Sequence, residues 1–282
     1  MDVKKLLEME PWQWPAETAD LLRDLLGRKD ADPEERLVAA ELAGDYVVMC
    51  DGLAAALLTI LNDARAPEAL RATAAISLGP ALENADLMGF DDPEDILISE
   101  AVYMAVQQTL QALCQDEQAP KEVRRRALEA AVRAPMDWQQ DAVRKAYGAG
   151  DPEWRLTAVF CMAYVEGFEQ EILEALQSED PDIRYHAVQA AGNWELEAAW
   201  DEIVPLALSD RTDKTLRLAA IDAVIGIRPE EASLALTELM ADMDEDIVAA
   251  VFEALAMHGI LWDAEEDLED MDDDDDDEVP PL

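Results

Sequence analysis

Asp180-Pro181-Asp182-Ile183-Arg184-Tyr185-His186-Ala187-Val188-Gln189-Ala190-Ala191-Gly192 reads as a helix start followed by one helix face, and it recurs along the chain with drift. The Asp supplies an N-cap oxygen, and the Pro sits at the first helical position, where its missing N–H costs nothing. Ile183, Ala187, Ala190, Ala191 and Trp194 then share one side at helical spacing. Aligned on the Arg, the copies centre on Arg36, Arg71, Arg124, Arg155, Arg184 and Arg217, each with small or apolar residues three and six positions on. A last copy, Asp244-Glu245-Asp246-Ile247-Val248, has lost the Arg. The spacings are 35, 53, 31, 29, 33 and 31 residues. All but one suit stacked helical hairpins of roughly 30–45 residues per unit. The long interval needs an insertion, expected over 83–99 as an acidic loop tipped by Met88 and Phe90.

A second helix follows each motif, expected over 52–62, 94–114, 138–147, 168–177, 195–208 and 230–241. No hairpin can bury its apolar stripe alone, so the units must stack. Each Arg lies at the edge of the alanine face, where burial without a partner is expensive, and an Asp in an adjacent turn is its expected partner.

The Asp-Pro-x-x-Arg-x-x-Ala-x-x-Ala-x-Gly core resembles the HEAT-repeat family, and within it the bacterial bilin-lyase (PBS-lyase) HEAT-like repeats, over about 32–262. The resemblance implies an all-α fold: a right-handed α-solenoid of about seven HEAT-like hairpins, the last degenerate. It implies that Arg36, Arg71, Arg124, Arg155, Arg184 and Arg217 form a structural ladder, and that the second helices line a concave ligand-binding side. The domain plan is an N-terminal helical cap over 1–30, the repeats over 31–262 and a disordered acidic tail over 263–282. In the cap, Pro11-Trp12-Gln13-Trp14-Pro15 precedes a helix expected over 16–26. Its tryptophans read as packing on the first repeat, with an aromatic hook for a partner as the alternative.

The chain carries 21 Lys and Arg against 65 Asp and Glu, a formal charge of −44. The segment 263–278 supplies 13 of those acids and no base, so the body is acidic in its own right. Such a field repels nucleic acid and anionic membranes and steers basic partners inward. The only local positive excess is Lys121, Arg124, Arg125, Arg126, Arg133, Arg144 and Lys145, which is expected to pair with neighbouring acids rather than bind phosphate. Cys50, Cys114 and Cys161 are scattered in apolar runs and read as free thiols in a reducing compartment. With neither a leader nor a membrane-length apolar run, a cytoplasmic location is expected.

Two histidines, His186 and His258, have no nucleophile or acid at catalytic spacing, and no Gly-rich phosphate loop or metal-ligand cluster is present in the sequence. No enzyme activity, cofactor or metal is expected. The candidate partner-binding residues on the concave side are Tyr103, Gln107, Gln111, Arg144, Lys145, Glu171, Glu174, Glu197, Asp201, Glu202 and Glu238. The function this implies is a non-enzymatic scaffold or adaptor holding a basic or amphipathic segment of a protein partner in an acidic groove. Two alternatives stay open: a bilin-lyase-like subunit acting on a tetrapyrrole-carrying protein, and a polyanion mimic blocking a nucleic-acid-binding protein.

Overall fold

The computed structural model describes residues 3–92 and 96–257, and among these every regular element is helical. The chain divides into two compact units, Met1–Gly167 and Phe168–Leu282. His258 and the acidic tail expected over 263–282 lie outside the described residues.

The first unit opens with a 3-10 turn, Val3–Glu8, and continues through α1 (Thr18–Gly27), α2 (Pro33–Leu42), α3 (Asp51–Asn62), α4 (Glu68–Ile76) and α5 (Gly79–Met88). It ends with α6 (Glu100–Gln115), α7 (Lys121–Ala131), α8 (Gln139–Tyr147) and α9 (Pro152–Cys161). The second unit holds α10 (Glu169–Leu176), α11 (Pro181–Asn193), α12 (Trp200–Leu208), α13 (Lys214–Ile227), α14 (Pro229–Leu236) and α15 (Glu245–Met257).

The Asp caps form as the motif demands. Asp32, Asp151, Asp180 and Asp213 each accept from backbone N–H groups of the first turn, at 3.0–3.4 Å. Where the motif reads Ala-Pro, an earlier Asp substitutes. Asp63 and Asp116 accept from the N–H two residues on and close the turn before α4 and α7.

The Arg ladder is structural, but its partners differ from expectation. Arg36, Arg71 and Arg217 donate to the carbonyls of Leu26, Leu61 and Ala207, each ten residues earlier in the last turn of the preceding helix. Those carbonyls have no acceptor role inside their own helix, and a guanidinium satisfies one while complementing the negative helix end. Arg71 and Arg217 are buried. Arg124 and Arg155 instead lie over the rings of Trp154 and Tyr147, and Arg184 is half-buried. Arg217 also reaches the anticipated carboxylate, Asp242 at 2.8 Å. The turn-to-turn ion pairs are made by lysines: Lys29 to Asp63, Lys121 to Asp151 and Lys214 to Asp244, with Lys4 to Glu34 at the N-terminal end.

Each unit is two layers of helices, and the layers are not equivalent. The Asp-Pro helices approach backbone to backbone through a Gly eight residues after the Arg. A Cβ added to Gly44 would lie 2.9 Å from Ser77 Cα, and one on Gly192 would lie 2.8 Å from Ala223 Cα. Gly79 repeats the contact, 3.3 Å from Ala130 Cα. In the second unit α11 and α13 pack along their lengths, whereas α12 and α14 touch over little. In the second unit the Asp-Pro helices are therefore the closely packed layer and the second helices the looser one.

The insertion is also corrected. Its first part is α5, with Ala81, Leu82 and Ala85 buried, and Gly89 ends it at a φ of +70° that only glycine takes without strain. At the N-terminus, Val3 and Leu6 are buried, Trp14 packs on the same core and donates to the Leu6 carbonyl, and Trp12 is exposed. The helix predicted over 16–26 is α1 (Thr18–Gly27), which runs through Gly27 rather than stopping before it.

Candidate interaction surfaces

The candidate residues fall into three groups. Tyr103 and Gln107 on α6 face inward, not outward. Gln107 is buried and donates to the Tyr103 hydroxyl, which donates to Asp86 at 3.2 Å. Burial, and then the Asp86 carboxylate, push the Tyr103 phenol up to about 12. Phe90 stacks edge-on against Tyr103 at 5.4 Å, so this set fastens the insertion to α6, while Met88 stays exposed. Gln111 is half-buried on the same helix.

Arg144 pairs with Asp141 and Lys145 with Glu117 on the outside of α8. Glu174, Asp201 and Glu238 are exposed, Glu171 is half-buried, Glu197 faces Arg228 at 3.8 Å, and Glu202 accepts from Gln177. All of these ride on the second helices of their hairpins, and their carboxylates lie on the solvent side.

On the Asp-Pro helices the face beside the packing stripe is set by positions one, two and five after the ladder Arg. In the first unit they include Arg125, Arg126, Glu129, Thr157 and Phe160. Arg125 Nε donates to the Thr157 hydroxyl at 2.9 Å, and that hydroxyl donates to Glu129 at 2.6 Å. Arg126 bridges Glu122 and Glu129 at 2.8 and 2.7 Å. Arg125, Glu129 and Thr157 are all buried, so this is a closed polar network within the core edge. Arg133 completes the row, pairing with Glu83 at 2.6 Å and lying over Phe160 and Tyr164.

Apart from Arg124, which lies over Trp154, the cations from Lys121 to Lys145 are thus engaged in ion pairs, three of the nine inside α7 itself. Glu129 and Thr157 were missed from sequence. The available signal was an acid and a hydroxyl at two positions, five and two after the ladder Arg, where the copies vary.

In the second unit the same positions are Tyr185, His186 and Gln189, then Leu218 and Asp222, then Glu253. His186 Nδ1 lies 3.1 Å from Gln189 Oε1 and its ring packs edge-on against Tyr185, a satisfied packing role. Between α13 and α15 lies a cleft of about 200 Å³ lined by Leu218, Asp222, Ala250, Glu253, Ala254 and Met257. Among the described residues no cluster of His, Cys, Asp and Glu has the arrangement of a metal site, and no helix is long and apolar enough to cross a membrane.

Burial pushes the Cys114 thiol up to about 12 and holds the Cys161 thiol well above its ordinary value. Both are poor nucleophiles at neutral pH.

No curated protein matches the chain. Solved structures similar to it include human deoxyhypusine hydroxylase in complex with glycerol, with 17% identity over 89% of this chain and 92% of that one and a TM-score of 0.40. The Escherichia coli protein YibA gives 13% identity over 87% and 84%, with a TM-score of 0.44. An engineered protein gives 17% over 84% and 95%, with a TM-score of 0.33. Residues 169–256, which carry the hairpins from α10 to α15, match the family model of the HEAT repeats.

Proposed function

We propose that the chain is a non-enzymatic protein-binding scaffold and that its second unit holds a basic, amphipathic segment of a protein partner. The supporting observation is the charge inventory of residues 168–257, which carry 21 acids and five bases. Three of those bases are already engaged. Arg217 holds Asp242, Lys214 holds Asp244 and Asp246, and Arg228 lies over Trp200 beside Glu197. Acids outnumber bases about four to one in this unit, and an incoming basic segment would supply cations. The cleft between α13 and α15 combines carboxylates with exposed apolar surface: Asp222 and Glu253 beside Leu218 and Met257, the last 78% exposed.

The test uses a fluorescein-labelled amphipathic peptide built from Leu and Lys at helical spacing. Asp222→Asn with Glu253→Gln should weaken binding about tenfold, and the affinity should fall steeply with added salt. Neutralising the second-helix carboxylates Glu174, Glu197 and Asp201 should have the smaller effect. If that variant loses the peptide and the cleft variant does not, the partner sits on the second helices. If neither changes affinity, the carboxylates are not the binding surface.

A further inference from the structure

The ladder position is shared by six arginines, and at Arg124 the usual contact is missing where a cavity opens. Arg36, Arg71 and Arg217 each donate to the carbonyl ten residues earlier. For Arg124 that carbonyl is Cys114's, and the bond is not made: Nε is shut off from water with no acceptor. Among the described residues no carboxylate or carbonyl partners the rest of the guanidinium. It lies instead over the Trp154 ring, 5.4 Å from the centroid. That contact uses the face of the guanidinium plane and leaves the N–H groups along its edge unanswered. Arg184 Nε is without an acceptor too, but it is at Arg124 that the loss coincides with a cavity.

The cavity has a volume of about 260 Å³ and is framed by α6, α7, α8 and the first turn of α9. Leu128, Ala142, Ala146 and Trp154 give it an apolar wall beside Arg124. Cys114 also lines it, but burial keeps that thiol protonated at neutral pH, so it is no counter-ion. On the solvent side Lys145 and Glu117 answer each other at 3.6 Å, both about three-quarters exposed. With that pair cancelled, the charge left over is that of Arg124.

We propose that this pocket binds a small carboxylic acid with an aromatic or branched apolar body. The carboxylate accepts from the edge of the Arg124 guanidinium, the planar pairing in which an arginine is strongest. Trp154 holds the guanidinium from one face, and the body of the acid packs on Leu128, Ala142 and Ala146. A phosphate needs more donors than one arginine offers, and an apolar wall supplies none. Pockets for drug-sized ligands run to roughly 300–1,000 Å³, so this one takes a smaller molecule, of about ten heavy atoms. The site lies wholly in the first unit and shares no residue with the cleft between α13 and α15.

The experiment follows para-fluorophenylacetate by fluorine NMR in the presence of the full chain. Para-fluorobenzyl alcohol serves as the uncharged analogue, and isocaproate and inorganic phosphate as competitors. The acid should bind saturably, and isocaproate should displace it. Arg124→Met keeps the length of the side chain and its packing on Trp154, and should cut affinity about tenfold or more. This variant should melt close to the wild type, since no hydrogen bond is removed. Arg71→Met, which strips the Leu61 carbonyl of its buried donor, should melt well below it. Ala142→Phe, at a half-buried position of the wall, should exclude the acid without altering any charge. Failure of the acid to bind the wild type at millimolar concentration, or equal affinity in the Ala142→Phe variant, overturns the proposal. So does an alcohol that binds as tightly as the acid, or phosphate that displaces it as well as isocaproate does.

Discussion

Replacing Gly192 by Ala adds one methyl group at the tightest point of the Asp-Pro layer. The new Cβ would sit 2.8 Å from Ala223 Cα and 2.9 Å from Ala223 Cβ. The first of these neighbours is backbone, so α11 and α13 must separate along a contact that also carries Gly226 against the Gly192 carbonyl, where an added Cβ would lie at 3.2 Å. Overpacking of this kind costs about 1–3 kcal/mol. Against it stands the gain of alanine over glycine inside a helix, about 1 kcal/mol. The net expectation is a loss of up to about 2 kcal/mol, or up to roughly 8 °C in melting temperature for a unit of this size. The control is Gly27→Ala at the end of α1, where an added Cβ meets nothing within 4 Å and the same propensity term should stabilise by up to about 1 kcal/mol. Urea unfolding followed by the fluorescence of Trp194 and Trp200 reports on the second unit, and circular dichroism at 222 nm reports on the whole chain. If Gly192→Ala stabilises as Gly27→Ala does, the Asp-Pro layer is not the closely packed one.

Thr157→Val should cost about 2–4 kcal/mol, because Arg125 and Glu129 each lose a hydrogen-bond partner in a buried site; Thr157→Ser, which keeps the hydroxyl, should cost about 1 kcal/mol. Equal losses in the two variants, measured by denaturant unfolding, would mean that the network adds nothing. Acid should act in two stages. Lys29, Lys121 and Lys214 hold Asp63, Asp151 and Asp244 below the ordinary carboxylate value of 3.8, and the Asp244 N–H followed by Arg217 does the same for Asp242. Their contribution is present above that value and is lost as pH falls through the depressed ones, whereas protonating the other carboxylates first relieves the self-repulsion of a −44 chain. The melting temperature should therefore rise from pH 7 to about 5 and drop below about 4; a steady fall from pH 7 would contradict this. Iodoacetamide at about pH 8 should leave Cys114 and Cys161 unmodified until the protein unfolds, and rapid native labelling of either, seen by peptide mass, would show that its burial is transient.

Local chemistry was legible in the sequence, and contacts across the fold were not. Asp32, Asp151, Asp180 and Asp213 cap their helices because an N-cap needs only the next three residues. The Arg partner was misjudged because it is a carbonyl in a different helix, exposed only once two helices pack antiparallel. Yet Leu26, Leu61 and Ala207 each stand ten residues before their Arg, a constant that the repeat spacing already contained. Helix α5 was taken for loop because Glu83, Asn84 and Asp86 masked the Ala81, Leu82 and Ala85 face.

The face beside the packing stripe could have been found from the pattern of drift. Three and six residues after the ladder Arg the copies stay mostly small, as in Ala187 and Ala190 or Ala220 and Ala223, since helix-to-helix distance tolerates nothing larger. Five residues after it the copies read Glu41, Ile76, Glu129, Phe160, Gln189, Asp222 and Glu253, which share no size, charge or polarity. That variation is not release from packing: Glu129 is buried in its network with Arg125 and Thr157, and Gln189 donates to Tyr185. Position five is where each Asp-Pro helix settles its own contacts while the small residues on either side keep the stacking distance. Of its copies in the second unit only Asp222 and Glu253 are exposed, and it is these two that the proposed cleft would use.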